Sequence, residues 1–154
     1  MIEYRKAALG DMDELVRLRI EFLKEAQNIE SDSNDADVRK ALENYLDGAM
    51  KNNAFIAWVA VDDNRIVATS GLCFLTVPPT YKNPEGTVAY IMNMYTRPDY
   101  RNRGIANGLF EKTLDEAKNL GYRHFSLHAT EKGRPLYARH GFTSSGDEMV
   151  FKLE

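Results

Sequence analysis

Three arginines, a glycine and an alanine crowd one short stretch: Arg97, Arg101, Arg103, Gly104 and Ala106. Directly behind them a helical period begins, with Ile105, Leu109, Thr113 and Ala117 on one face and Phe110, Leu114 and Leu120 widening it. Its first turn carries no carboxylate before Glu111. A self-sufficient helix puts Asp or Glu there to answer the positive dipole end. Free N–H groups, small side chains and added positive charge instead suit an anion supplied from outside. Gly104 lets backbone come close to that anion, and Ala106 keeps the second approach point small. A solvent-exposed helix start with arginines for solubility has the same local pattern. His128 is the next group with evident chemistry, because imidazole changes charge near neutral pH. It is a candidate base, and a hydrogen-bonded structural histidine fits its position as well. Cys73 has no Cys–His pairing in the sequence and reads as a structural thiol rather than a nucleophile. His124 and His140 are scattered, and with His128 they give no metal-ligand spacing.

The elements around these residues follow from patterning. Val88 to Tyr95 is β-branched and aromatic and reads as a strand that Pro98 stops, since proline gives no N–H to a ladder. Gly121 ends the helix that follows. Upstream, Ile2 to Ala7 alternates as a first strand. Asp11 caps a helix with Glu14 placed for a capping box, and Asp35 caps a second helix. Phe55 to Val61 and Ile66 to Val77 are strands joined by the hairpin turn Asp62-Asp63-Asn64-Arg65. Apolar residues on both faces, as in Ala57-Trp58-Val59-Ala60, predict a sheet covered by helices on both sides. Arg123 to Ala129 is a further strand, Arg134-Pro135 opens a short helix, and Met149 to Leu153 reads as a last strand. Glu21 and Glu25 sit one turn apart on the first helix, and Tyr81 and Glu85 lie on a proline-stiffened loop. Each could meet a substrate amine, and each also reads as ordinary surface.

Composition bounds the class. The chain has 154 residues, 44% hydrophobic and 28% charged, as expected of one globular domain spanning 1–154. A formal charge of −3 argues against broad nucleic-acid affinity. No apolar run approaches the roughly 20 residues of a membrane span. One cysteine and no signal-peptide core fit a reducing cytoplasm.

A strand, an Arg-x-x-Gly-x-Ala turn at Arg101, Gly104 and Ala106, and an amphipathic helix resemble the cofactor-binding core of the GNAT N-acetyltransferase superfamily. Leu136-Tyr137-Ala138-Arg139-His140-Gly141-Phe142 resembles that family's Tyr-x-x-x-Gly-Phe ending, and the likeness covers essentially the whole chain. The resemblance implies a mixed α/β (α+β) central sheet of six to seven strands flanked by about four helices. It implies acetyl-CoA as co-substrate, no metal, and an amine of a small molecule or peptide as acceptor. Asn102, Arg103, Gly104, Ile105, Ala106 and Asn107, with Arg101, would hold the pyrophosphate, and Met94, Tyr95 and Thr96 would pair with the pantetheine arm. Tyr137 matches the tyrosine that protonates the departing thiolate. Thr130 stands where the family commonly has Asn, and Gly133 where it commonly has Ala. A non-catalytic acyl-CoA-binding or sensing domain is the alternative, and a homodimer is a family-based expectation.

Overall fold

The computed structural model describes residues 1–153. The chain runs β1 (Glu3–Lys6), a 3-10 turn (Leu9–Asp11), α1 (Met12–Ala26), α2 (Ala36–Lys51), β2 (Phe55–Asp62), β3 (Arg65–Thr76) and β4 (Thr87–Thr96). A second 3-10 turn (Pro98–Tyr100), α3 (Ile105–Asn119), β5 (Phe125–Leu127) and α4 (Arg134–Arg139) complete it. The strands form one sheet in the order β1-β2-β3-β4-β5, antiparallel except for the parallel β4–β5 pair.

Alternation on the strands divides the core. Phe55, Ala57, Val59, Ile66 and Tyr95 face α1 and α2, against Leu15, Leu18 and Leu46. Ala89 and Ile91 face the other way, against Phe110 and Leu114 of α3 and Tyr137 of α4. The apolar stripe read from the sequence is buried as expected at Ile105, Leu109, Phe110, Thr113, Leu114 and Ala117, whereas Leu120 is exposed. Gly108 lets α3 meet β1, because a Cβ there would lie 2.5 Å from the Tyr4 hydroxyl. The Asp63-Asn64 turn takes left-handed φ at both residues, as a two-residue hairpin requires.

The mixed sheet with helices on both faces is as expected; its extent is not. It has five strands among the described residues, not six to seven, with four α-helices. The missing strand is Met149–Leu153, which lies outside any ladder with Met149, Val150, Phe151 and Leu153 exposed. β5 spans only Phe125–Leu127, too short to template a further neighbour along the expected length. Capping also differs. Asp11 does not cap α1; its carboxylate accepts from the Ala8 N–H and from Arg5, at 2.7 and 2.8 Å. Glu14 pairs with Arg17 and Arg97 rather than closing a box. Asn34, not Asp35, accepts the Ala36 N–H at 3.0 Å. In each case a nearby cation or a better-placed amide took the carboxylate that the spacing had assigned to the helix end.

Candidate functional site

The turn into α3 is built as a receptor for negative charge. Asn102 and Gly104 take left-handed φ of 62° and 76°, which turns successive amides outward. The N–H groups from Asn102 to Asn107 meet no acceptor among the described residues, and the first intrahelical bond at this end is Gly108 N–H to Gly104 O at 3.1 Å. No side chain caps the helix and no acid lies in its first turn. A Cβ on Gly104 would meet nothing within 4 Å, so the space over the turn is open.

The arginines divide their labour in a way the sequence did not reveal. Arg97 is buried; it donates to Ile66 O at 2.9 Å and pairs with Glu14, with Glu21 at 3.9 Å. Arg101 donates to Thr96 O at 2.9 Å and grips both carboxylate oxygens of Glu25 at 2.9 and 2.8 Å. The Arg101 guanidinium also lies over Tyr95. Glu21 and Glu25 therefore hold α1 to the end of β4. Arg101 supports the turn, and its charge is already matched. Of the three, Arg103, lying over the Tyr100 ring, is the one that forms no ion pair among the described residues.

Beside this turn the sheet opens. β4 pairs with β5 only from Ala89 to Ile91, opposite Phe125 to Leu127. A bulge follows, where the β3 partners jump from Gly71↔Met92 to Thr69↔Tyr95. Asn93 sits in it with φ +60°, its carbonyl held by the Thr69 hydroxyl at 3.0 Å. The bulge re-aims β4 away from β5 and leaves Met94 to Thr96 unpaired on the β5 side, while Tyr95 and Thr96 keep their β3 partners. The resulting cleft is lined by Phe22, Met92, Asn93, Met94, His128 and Tyr137, with Ile91 and Thr130. The buried Asn93 Oδ1 has no hydrogen-bond partner among the described residues.

Tyr137 and His128 reach this cleft from opposite sides of the sheet. α4 begins at Arg134-Pro135 after Thr130 closes its turn, accepting the Gly133 N–H at Oγ1. Tyr137 packs against Phe110 and Phe142, with its ring over Gly133, where a Cβ would approach Cε2 to 2.9 Å. Burial raises its phenol above the ordinary value, and no other group acts on it. His128 lies beyond β5 with both ring nitrogens engaged: Nδ1 with the Tyr90 hydroxyl at 2.5 Å, Nε2 with Glu148 Oε2 at 2.6 Å. An ionised carboxylate only accepts, so Nε2 carries hydrogen; in the neutral ring Nδ1 then accepts from the Tyr90 hydroxyl. Tyr90 and Glu148 were not singled out in the sequence. Tyr90 reads as one more aromatic strand residue, and Glu148 is far from His128 along the chain.

Other sequence candidates lie elsewhere. Tyr81 and Glu85 are exposed on their loop, away from the cleft. Cys73 is half-buried against Tyr45 and Met92 sulfur, without a histidine partner. His140 ties α4 to α3 through Asn107 Oδ1 at 2.8 Å. A hollow of about 390 Å³ between Lys6, Phe74, Glu116 and Tyr122 contains none of the groups above. Among the described residues no helix is long and apolar enough to cross a membrane, and no cluster of three His, Cys, Asp or Glu could hold a metal.

Comparison with known proteins agrees with this geometry. The profile of the acetyltransferase (GNAT) family matches residues 15–142. A predicted acetyltransferase from Clostridium acetobutylicum, solved with acetyl-CoA, is 35% identical, covers 99% of this chain and 96% of its own, and superposes with a TM-score of 0.90. A GCN5-related N-acetyltransferase from Ralstonia eutropha JMP134 is 28% identical over 99% of both chains, with a TM-score of 0.85. Glucosamine-6-phosphate N-acetyltransferase from Arabidopsis thaliana, at 13% identity and a TM-score of 0.72, shares the fold. No curated protein matches the sequence significantly.

Proposed function

The chain belongs to the acetyltransferase (GNAT) family and is an acetyl-CoA-dependent N-acetyltransferase; from that premise we propose how its residues divide the reaction. The observation that carries the assignment is the run of unaccepted amides from Asn102 to Asn107 opening beside a split sheet. Amides of that density, with Arg103 beside them, match a diphosphate. The free edge of β4 at Met94 and Tyr95 matches an extended, amide-bearing arm. Thr96 contributes less to that edge, because its carbonyl already accepts from Arg101.

Acetyl-CoA supplies an activated acyl group. A backbone N–H of β4 near Met94 holds the charge that develops on the thioester oxygen. The acceptor is a primary amine of a small molecule or peptide, and it attacks the carbonyl directly. An alkyl ammonium, with a pKa of about 10.4, must first lose a proton. Tyr90 is the entry to a path for that proton: its oxygen receives it as its own proton passes to His128 Nδ1, and Glu148 steadies the imidazolium. Tyr137 protonates the departing thiolate from the other side of the gap. Its raised phenol keeps its proton through the working pH range. All 154 residues act as one catalytic domain, and the single cysteine fits a cytoplasmic setting.

The test is acetyl-CoA turnover against a panel of amines, with Gly104→Glu assayed alongside. The wild type is expected to transfer acetyl to some members of the panel. The variant should lose cofactor affinity by at least tenfold while staying folded, because its carboxylate repels phosphate. A folded variant with unchanged coenzyme affinity contradicts this placement. Coenzyme binding with no turnover on any amine favours a sensing domain instead.

A further inference from the structure

Arg19 is a cation that the fold leaves without a partner. It lies on α1 one turn before Phe22, with its guanidinium carbon 5.5 Å from the centre of that ring. Phe22 lines the catalytic cleft. Arg19 is half-buried, and burial lowers its pKa. Arg5, Arg17, Arg97 and Arg101 each hold a carboxylate. Arg19 holds none among the described residues, and the titratable groups that act on it are Cys73, Tyr45 and Tyr90. Burial first, then Cys73, pushes the Tyr45 phenol up to about 12, so no compensating charge comes from it.

These groups share one side of the sheet. Met92 and Cys73 pack toward α1 and α2, and Cys73 pairs in register with Tyr90. Arg19 therefore lies on the same face of the sheet as Tyr90, beside Phe22 of the cleft lining and opposite the buried Tyr137 ring. A desolvated charge without a counter-ion is costly, and an arriving anion removes that cost. One guanidinium balances one negative charge; a dianionic phosphate here would remain half uncompensated.

We propose that Arg19 is the recognition site for a carboxylate carried by the amine acceptor, so that the substrate is an amino-carboxylate. This deepens, and rests on, the acetyl-transfer reading. The carboxylate would take the guanidinium fork, with the Tyr45 hydroxyl at hand as a further donor, and the amine would reach toward Tyr90 and the cleft.

The experiment compares free amino acids, including β-alanine and γ-aminobutyrate, with their carboxamides, on the wild type and Arg19→Gln. Two readouts are taken: kcat/KM with acetyl-CoA, and the thermal midpoint with each compound in the presence of CoA. The wild type should prefer at least one acid over its amide by about 100-fold or more in kcat/KM and be stabilised by that acid alone. Arg19→Gln should lose both effects mainly through KM, keep its affinity for CoA, and regain part of the preference as Arg19→Lys. Amides used and bound as well as acids, or a preference that survives in Arg19→Gln, overturns the site while leaving acetyl transfer standing. Arg19-dependent binding of acids with no turnover of any compound sustains the site and sinks the transfer reading.

Discussion

Tyr137 and Gly133 form a unit. The ring lies where an alanine Cβ would stand, 2.9 Å from Cε2, and Phe110 and Phe142 leave it little freedom to withdraw. The family resemblance marks Gly133 as a departure, and the structure supplies a use for it: the glycine makes room for the phenol. Gly133→Ala should displace the hydroxyl by a few tenths of an ångström and lower kcat without changing coenzyme affinity. Tyr137→Phe should lower kcat by about 10²–10⁴-fold, the usual worth of a general acid. The wild-type pH profile should fall only above the ordinary phenol value of about 10, since burial raises this group, and that limb should vanish in Tyr137→Phe. Equal kcat in Gly133→Ala and wild type would separate the ring's position from catalysis. The place of Tyr137 beside the cleft was legible in the sequence because its spacing to Gly141 and Phe142 is local. Tyr90, Glu148 and Arg19 were not, because their meaning depends on partners from other strands and helices.

Between elements, the decisive contact is the acidic face of α1 against the arginines that leave β4. Glu14, Glu21 and Glu25 meet Arg97 and Arg101, so a helix on one side of the sheet fixes the turn that opens onto the other. The sequence displays the charges but not their pairing; Glu21 and Glu25 read as a solvated face and the arginines as a cluster awaiting an anion. The bulge at Asn93 was nearly as hidden: asparagine is depleted in strands and tolerates the left-handed φ it adopts here, but one such residue in a β-branched and aromatic run does not mark a register shift. Helix α3 was read correctly because its own period and its Gly121 stop define it. The seam carries a pH signature. Arg17 first, then Arg97, holds the Glu14 carboxyl below its ordinary value; Arg101, then Lys132, does so for Glu25, and Arg5 for Asp11. Lowered carboxylates contribute stability that is whole above their unfolded values of about 4 and disappears as pH falls through the folded ones. The thermal midpoint should thus drop on acidification from about pH 5 to pH 3. Replacing Glu14 by Gln should cost about 1.5–3 kcal/mol at pH 7, the worth of a hydrogen bond to a charged group, and flatten that drop. A midpoint as steep in acid for Glu14→Gln as for wild type would remove Glu14 from the account.

Across the molecule, the sheet ends early on the β5 side, and that edge is where the expected sixth strand failed to form. Met149, Val150, Phe151 and Leu153 show the strand-like composition that predicted a last strand, yet each is largely exposed. The sequence reading was right about composition and wrong about pairing, because a strand is defined by its neighbour and β5 offers only Phe125 to Leu127. Apolar side chains that a fold does not bury add nothing to its stability, but they remain available to a second copy of the chain. The homodimer expected from the family would use them. Deleting residues 149–154 while keeping Glu148 should leave the unfolding midpoint of dilute protein unchanged and preserve the His128 contact, hence turnover per chain. Sedimentation should show association of the full chain as concentration rises and none for the shortened one. A shortened chain that melts about 2–4 °C lower, the shift expected for 1 kcal/mol at this size, would mean that the segment packs against its own sheet in solution. Association that persists without the segment would place the contact on another face, with the free outer edge of β1 the other place where a strand could be added.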